Sequence, residues 1–217
     1  MSSCRRYTLL KSPDGLPSGD LSFLEDPEVD SRISEVLSFL DLHGIPFELY
    51  RHPPVPTVEA ALPYWRQIPS AHCKNLFFRN HKGNRHYLVS YDCRKSFPIH
   101  SLEHMIREGK LSFASPERMS RCLGLRPGSV SPLGLVHDMG LVELGVPVCG
   151  VIAKELFPDG HRVKYFIDKD VMEEEKVSFH PCDNTASVVL RTEDLRKFLS
   201  VWGGEWEILD IDALSEE

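Results

Sequence analysis

The sequence predicts a single α+β domain, a mixed and mostly antiparallel sheet with helices packed on it. Three observations carry that reading. Strand-like and helix-like segments interleave along the chain. Their junctions are short and one is hairpin-like, which disfavours a regular parallel winding. The 217 residues, 41% of them hydrophobic, can bury one good core but fall short of two full domains.

Residues 1–29 mix Ser, Pro, Gly and acidic side chains without periodicity. They read as an extension, mobile rather than core, with the domain proper over 30–217. Asp30 or Ser31 caps the first helix, whose stripe of Ile33, Val36, Leu37 and Leu40 ends at Gly44. Ile45 to Arg51 reads as a strand running into His52-Pro53-Pro54, and Thr57 caps a short helix through Leu62. Lys74–Arg79 and Arg85–Ser90 are two strand-like runs around His81-Lys82-Gly83-Asn84, a hairpin signal. A helix is expected from Ser101, carrying Leu102, Met105 and Ile106, to Gly109; the next has Ser115 as cap, Pro116 in its first turn and Gly124 just past its end. Arg126 to Pro132 has the composition of a tight loop. Late strands are expected over Val163–Asp168, Val177–His180 and Ser187–Leu190, then a helix capped by Thr192 and bearing Leu195, Phe198 and Leu199, with Trp206–Ile211 closing the fold.

Composition narrows the function. The most apolar stretch, Gly140 to Ala153, is broken by Glu143 and Pro147 and is shorter than the ~18 residues of a membrane span. The first residues lack the apolar core of a secretion signal, so a cytoplasmic protein is expected. Six separated cysteines without a CxxC pair read as free thiols. The net charge of -7 argues against a general nucleic-acid binder, but it is unevenly spread: Arg66 to Arg126 holds 12 Lys/Arg against 4 acids, so that stretch is +8 and the remainder -15. Such a stretch either scatters around a solvated surface or forms a phosphate-facing patch.

Two candidate chemistries are weak. His100 and His104 stand one helical turn apart, but two imidazoles are not a metal site, and no second close His/Cys pair accompanies them. No metal or other cofactor is therefore expected. Cys73 beside His72, and Cys182 near His180, suggest a thiol nucleophile, yet neighbours in a strand point to opposite faces.

A set of three separated motifs is more specific. They are His72-Cys73-Lys74-Asn75-Leu76-Phe77-Phe78-Arg79; the GxxxP loop Gly128-Ser129-Val130-Ser131-Pro132, preceded by Cys122-Leu-Gly-Leu-Arg-Pro-Gly; and Phe179-His180-Pro181 leading into Asp183-Asn184-Thr185-Ala186. Over roughly Ile33 to Leu199 the chain resembles the bacterial-type prolyl-tRNA editing deacylases, also known as the prolyl-tRNA-synthetase-associated domain. The resemblance implies that fold and a metal-free hydrolysis of the ester joining a wrong amino acid, alanine first among candidates, to proline tRNA. Prolyl-tRNA synthetase is then a candidate partner. It implies a catalytic set of Lys74, Gly128, Ser129 and His180. Asn75, Val130, Ser131, Pro132 and His137 are expected to bind substrate, and Arg79, Arg85 and Arg126 to contact tRNA. Lys74 would either hold a terminal phosphate or polarise the carbonyl, and His180 would position water or bind the amine or ribose. Relatives acting on Cys, Ser, Thr or 2-aminobutyrate, and a non-catalytic tRNA- or synthetase-binding module, are the alternatives. Three features depart from the family pattern: His137 stands where many relatives carry asparagine, residues 140–160 look like an insertion, and the arm before Asp30 lies outside the match.

Overall fold

The computed structural model describes residues 6–9, 27–55, 57–140 and 152–215. The expected insertion therefore lies partly, over 141–151, outside the described residues, as does most of the N-terminal extension. The described part of that extension is not separate from the fold. Arg6–Leu9 forms a strand, β1, paired in parallel with β2 (Glu48–Arg51).

The first helix, α1 (Pro27–Leu42), starts before the expected cap at Asp30 or Ser31. Its apolar stripe is the one read from the sequence: Ile33, Val36, Leu37 and Leu40 are all buried. Gly44 ends it at φ 60, and the Ile45 N–H donates to the Leu40 carbonyl at 2.8 Å. Thr57 caps α2 (Val58–Trp65), its hydroxyl accepting from the Ala60 N–H, and the helix continues past Leu62 with Pro63 inside it. Two long strands follow, β3 (Ala71–Arg79) and β4 (His86–Asp92). The next helix, α3 (Ile99–Ile106), has no side-chain cap and ends at Arg107 in the left-handed region (φ 58), not at Gly109. A short strand, β5 (Ser112–Phe113), was not expected. In α4 (Pro116–Leu123) the cap Ser115, the first-turn Pro116 and the left-handed Gly124 occur as read.

A 3-10 turn over Pro132–His137 replaces a plain apolar run, and a second covers Ile152–Glu155. The remaining elements are β6 (Val163–Asp168), α5 (Lys169–Glu173), β7 (Lys176–Phe179), β8 (Ala186–Arg191), α6 (Thr192–Trp202), β9 (Trp206–Leu209) and α7 (Ile211–Ser215). Thr192 is the first residue of α6 and not its cap; its hydroxyl donates to the Glu174 carbonyl.

The strands form one mixed sheet in the order β1-β2-β8-β7-β3-β4-β6-β9, with β5 on β3. The longest ladder, β3 on β4, is antiparallel, as are β2–β8, β7–β8 and β3–β5. Parallel pairs (β1–β2, β3–β7, β4–β6, β6–β9) take a larger share than the hairpin signals suggested, because β6, β7 and β9 return by crossovers. Helices cover both faces. On one, α1, α4 and α6 bury Leu40, Leu123, Phe198 and Trp202 against Phe77, Leu88 and Tyr165. On the other, α2 supplies Ala61 and Trp65, and α3 supplies Leu102 against Phe78, Tyr87 and Val89. Truncating a ring such as Phe198 to alanine in this packing costs about 3–5 kcal/mol.

Candidate active site

The site forms where β3 and β7 part. They pair in parallel only at Ala71↔Val177 and His72↔Ser178. β3 continues straight along β4, whereas β7 stops at Phe179 and the chain turns at His180-Pro181, with Cys182 in the left-handed region at φ 64. Parallel strands that splay in this way leave a crevice beyond the shared ladder, a usual place for ligands. Here a cavity of about 280 Å³ opens. Its walls come from β3 (Cys73, Lys74, Asn75, Leu76), the α2 region (Val55, Thr57, Val58, Ala61, Trp65), the loop residues Gly128 and Val130, and His180.

Lys74 is partly exposed, and among the described residues no carboxylate lies in ion-pair contact with it. Its charge also acts on Glu59 of α2, whose carboxyl is held below its usual range first by backbone N–H bonding, then by the Thr57 hydroxyl, with Lys74 adding to both. Asn75 points its side chain to the opposite face of β3, where its carbonyl oxygen accepts from the Ser90 hydroxyl at 2.6 Å.

The tautomer of His180 is set by its neighbour. A carbonyl only accepts, so Nδ1 donates to the Ala186 carbonyl at 2.9 Å and Nε2 carries the lone pair. Burial lowers its pKa, so the ring is neutral at pH 7. His52 lies edge-on 6.1 Å away and is likewise fixed: Nδ1 donates to the Pro53 carbonyl and Nε2 accepts from Ser187. His72 stacks on Trp65 with ring centroids 4.6 Å apart and joins the Trp65 carbonyl to the Ser178 hydroxyl. The turn behind His180 is held by Asp183, which accepts from the Thr185 N–H and hydroxyl and pairs with Arg32 of α1 at 2.7 Å. Asn184 and Thr185 in turn accept from the Val55 and His52 N–H groups, fixing the strand-to-α2 segment that walls the cavity.

Gly128 holds φ 86, a conformation that costs a side-chain-bearing residue about 1–2 kcal/mol. Space is not the reason for glycine there, since a Cβ would have Asn184 Nδ2 at 4.0 Å as its nearest neighbour. Other loop residues are committed elsewhere. The Ser129 N–H donates to the Arg126 carbonyl, and the Ser131 hydroxyl caps the 3-10 turn by accepting from the Leu133 N–H.

Of the residues expected at the site, the structure brings together Lys74, Asn75, Gly128, Val130 and His180. It does not bring Ser129, Ser131, Pro132 or His137 to the cavity wall. The first three are buried as supports of the loop, and His137 packs against Gly124 and faces Glu35 at 3.6 Å.

Nor does the basic stretch gather at the cavity, where Lys74 is its one lining cation among the described residues. Arg79 and Arg85 lie at the far end of the β3–β4 hairpin, about 17 Å along the strand from Lys74 at ~3.3 Å per residue. Arg79 donates to the Asn80 and His81 carbonyls, and Arg85 sits over the Phe157 ring. Arg94, Lys95 and Arg121 are spent on Asp92, on Asp168, Asp170 and Asp212, and on Glu155. Arg126 is exposed beside the loop. The contribution of α2 was missed by sequence reasoning, which took Thr57 only as a cap; three small or apolar residues on one short helix, Val58, Ala61 and Trp65, look the same whether they face core or cavity.

The thiols at Cys73, Cys93, Cys122 and Cys182 are free. Burial raises all four above the usual thiol range, so none is poised as a thiolate. His100 is bonded to Glu103, and among the described residues no group of three or more His, Cys, Asp or Glu side chains is arranged to hold a metal. Among them, too, no helix is long and apolar enough to cross a membrane.

With this geometry in view, the likeness to known proteins is informative. Residues 52–198 match the model of the aminoacyl-tRNA editing domain. The chain is 32% identical over 176 residues to the prolyl-tRNA editing protein ProX of Acetoanaerobium sticklandii, covering 81% of this chain and 95% of that one. It is 29% identical over 167 residues to the prolyl-tRNA synthetase associated domain-containing protein 1 of Mus musculus, covering 76% and 88%. The crystal structure of a candidate trans-editing enzyme for prolyl tRNA synthetase superposes with a TM-score of 0.57 at 17% identity, over 83% of this chain and 96% of that one, a likeness of fold. The matched span takes in every wall of the cavity, from Val55 to His180, and the chain belongs to the aminoacyl-tRNA editing domain family.

Proposed function

We propose that this protein is a trans-editing hydrolase that removes alanine from mischarged proline tRNA in the cytoplasm, using water and no metal. The observation that carries the reading is the convergence of Lys74, Gly128 and His180, whose Nδ1 is spent on the Ala186 carbonyl, on one small cavity with an apolar wall. In this reading the 3′-terminal adenosine enters beside Lys74, whose ammonium serves the negative charge of the terminal phosphate or of the ester carbonyl. Neutral His180 accepts a proton from a water that attacks the carbonyl carbon. The tetrahedral intermediate collapses as the bond to the ribose oxygen breaks, and that oxygen takes the proton back from the imidazolium. Free alanine and intact tRNA leave.

In this reading the choice of amino acid falls to the apolar wall of Val55, Val58, Ala61 and Val130, which would admit a methyl group and crowd a pyrrolidine ring. The need for such a sieve is physical: a synthetase pocket built for proline rejects a smaller side chain by only about 1–3 kcal/mol per missing methylene, so alanine leaks through.

The test is to incubate the purified protein with Ala-, Ser-, Cys- and Pro-tRNA(Pro), with and without a chelator, and to follow amino-acid release. Ala-tRNA(Pro) is cleared, Pro-tRNA(Pro) is spared and the chelator changes nothing. Faster release of serine or cysteine moves the protein to another specificity within the family. No release of any amino acid makes it a binding module.

A further inference from the structure

The cavity has a second polar resource besides its side chains, the main chain of β3. Residues along a strand present their N–H and C=O to alternate edges. The His72 carbonyl accepts from the Cys93 N–H on the β4 side, and the Phe77 carbonyl accepts from the Ala114 N–H on the β5 side. Even-numbered residues of this stretch therefore bond β4, and Cys73, Asn75 and Phe77 face the other edge. On that edge β7 pairs only as far as His72↔Ser178, and β5 begins only at Phe78. Between them, among the described residues, no strand takes the Cys73 carbonyl or the Asn75 N–H, and both residues line the cavity. This is the ladder position that His180 would fill had β7 run on. Unpaired main-chain groups at a sheet edge bind whatever offers a matching donor and acceptor.

We infer that this vacated ladder position reads the main chain of the aminoacyl group: the Cys73 carbonyl accepts from the α-ammonium, and the Asn75 N–H donates to the ester carbonyl oxygen. The inference rests on the deacylase reading above. An aminoacyl ester carries its amine and carbonyl on either side of one α-carbon, as a strand residue does, so it fits one ladder position whatever its side chain. Charge building on the carbonyl oxygen during attack strengthens the bond from Asn75, which makes that N–H a catalytic donor. Side-chain choice is left to the apolar wall, and the requirement for a free amine to the strand edge.

The experiment compares alanyl-tRNA(Pro) with propionyl-tRNA(Pro), which lacks only the amine, each rate divided by its own spontaneous hydrolysis. The acceleration for the propionyl ester is expected to be at least ~10-fold lower, the scale of one charge-assisted hydrogen bond. Asn75→Pro removes the donor; relative to Asn75→Ala, which isolates loss of the side chain, it is expected to lower alanyl hydrolysis by about 10²–10³-fold. Because proline can disturb the strand, a second reading uses the unaltered protein: on adding 3′-alanylamino-3′-deoxyadenosine, the Asn75 amide proton should shift downfield and exchange with solvent at least ~10-fold more slowly, as a newly made hydrogen bond requires. Equal acceleration of both esters, or an unperturbed Asn75 amide with analogue bound, overturns the inference and leaves the deacylase standing. Absence of alanyl hydrolysis overturns both.

Discussion

Acidification from pH 7.5 to 5 is expected to destabilise this protein steeply, and two buried histidines set the size of the effect. His52 and His86 are both fully buried. In His52 the proton sits on Nδ1 and Nε2 accepts from Ser187, so protonation turns that acceptor into a donor. In His86 Nε2 accepts from Arg118 at 2.9 Å, so a second proton sets a cation against the guanidinium. Burial is the main reason that each titrates at about 4, with Arg118 and Arg121 adding to it for His86. The unfolded chain titrates at about 6.5. Between those values it binds more protons than the folded one, so stability is flat above pH 6.5 and falls as pH drops toward 4. At pH 5 each histidine costs roughly 2 kcal/mol and the pair roughly 4, a large part of a typical total of about 5–15 kcal/mol. His72, also lowered to about 4 mainly by burial, acts in the same direction. His161 opposes them: the Asp138 side chain and carbonyl outweigh burial and raise its pKa, so its contribution is complete below pH 6.5 and fades as pH rises through its folded value. Urea unfolding followed by circular dichroism reads the balance. With a slope of about 2 kcal/mol per molar, the midpoint should fall by about 2 M between pH 7.5 and 5. An equal or higher midpoint at pH 5 refutes the reasoning.

Three substitutions separate the site from the scaffold. Gly128→Ala strains φ 86 without a clash, so a stability loss of about 1–2 kcal/mol should accompany at least a 10-fold slower deacylation; unchanged turnover would remove the loop from the site. Gly124→Ala puts a Cβ 2.7 Å from the His137 ring at a left-handed position, so it should lower the melting temperature more than Gly128→Ala does, and an equal or smaller drop contradicts the packing described. Ala61→Leu fills the cavity from α2. It should slow alanine release by at least 10-fold while the far-ultraviolet spectrum is kept, whereas normal turnover places the methyl pocket elsewhere.

The parts of the fold that were legible in the sequence are those written in local chemistry. Ser115, Pro116 and Gly124 bracket α4 as capping rules require, and the 3.6-residue stripe of α1 is its buried face. What was not legible depends on distant partners. Arg107 ends α3 where Gly109 looked the better stop, because a left-handed cap is open to an arginine when the surrounding packing holds it there. The parallel pairs depend on crossovers that no turn motif announces. At the candidate site, motif order singled out Lys74, Gly128 and His180, which the fold brings to one cavity. Ser129, Ser131 and Pro132 of the Gly128 motif are buried in the loop and do not line the cavity, and motif order says nothing of Ala61 and Val58, whose place in the wall depends on where α2 docks. Charge counted along the chain likewise says nothing of which distant carboxylates fold back onto the +8 stretch, as Glu155, Asp168, Asp170 and Asp212 do.

The most direct test of the account is the single-turnover rate of Ala-tRNA(Pro) hydrolysis by Lys74→Ala against the unaltered protein. Lys74 is partly exposed and has no carboxylate partner among the described residues, so its removal should leave the unfolding midpoint within about 0.5 kcal/mol of normal. A unit charge about 4 Å from developing negative charge at an effective dielectric near 20 is worth up to about 4 kcal/mol, so a rate loss of about 10²–10³-fold is predicted. A folded Lys74→Ala protein that clears alanine at nearly the normal rate would contradict the assignment of this cavity as the site of hydrolysis.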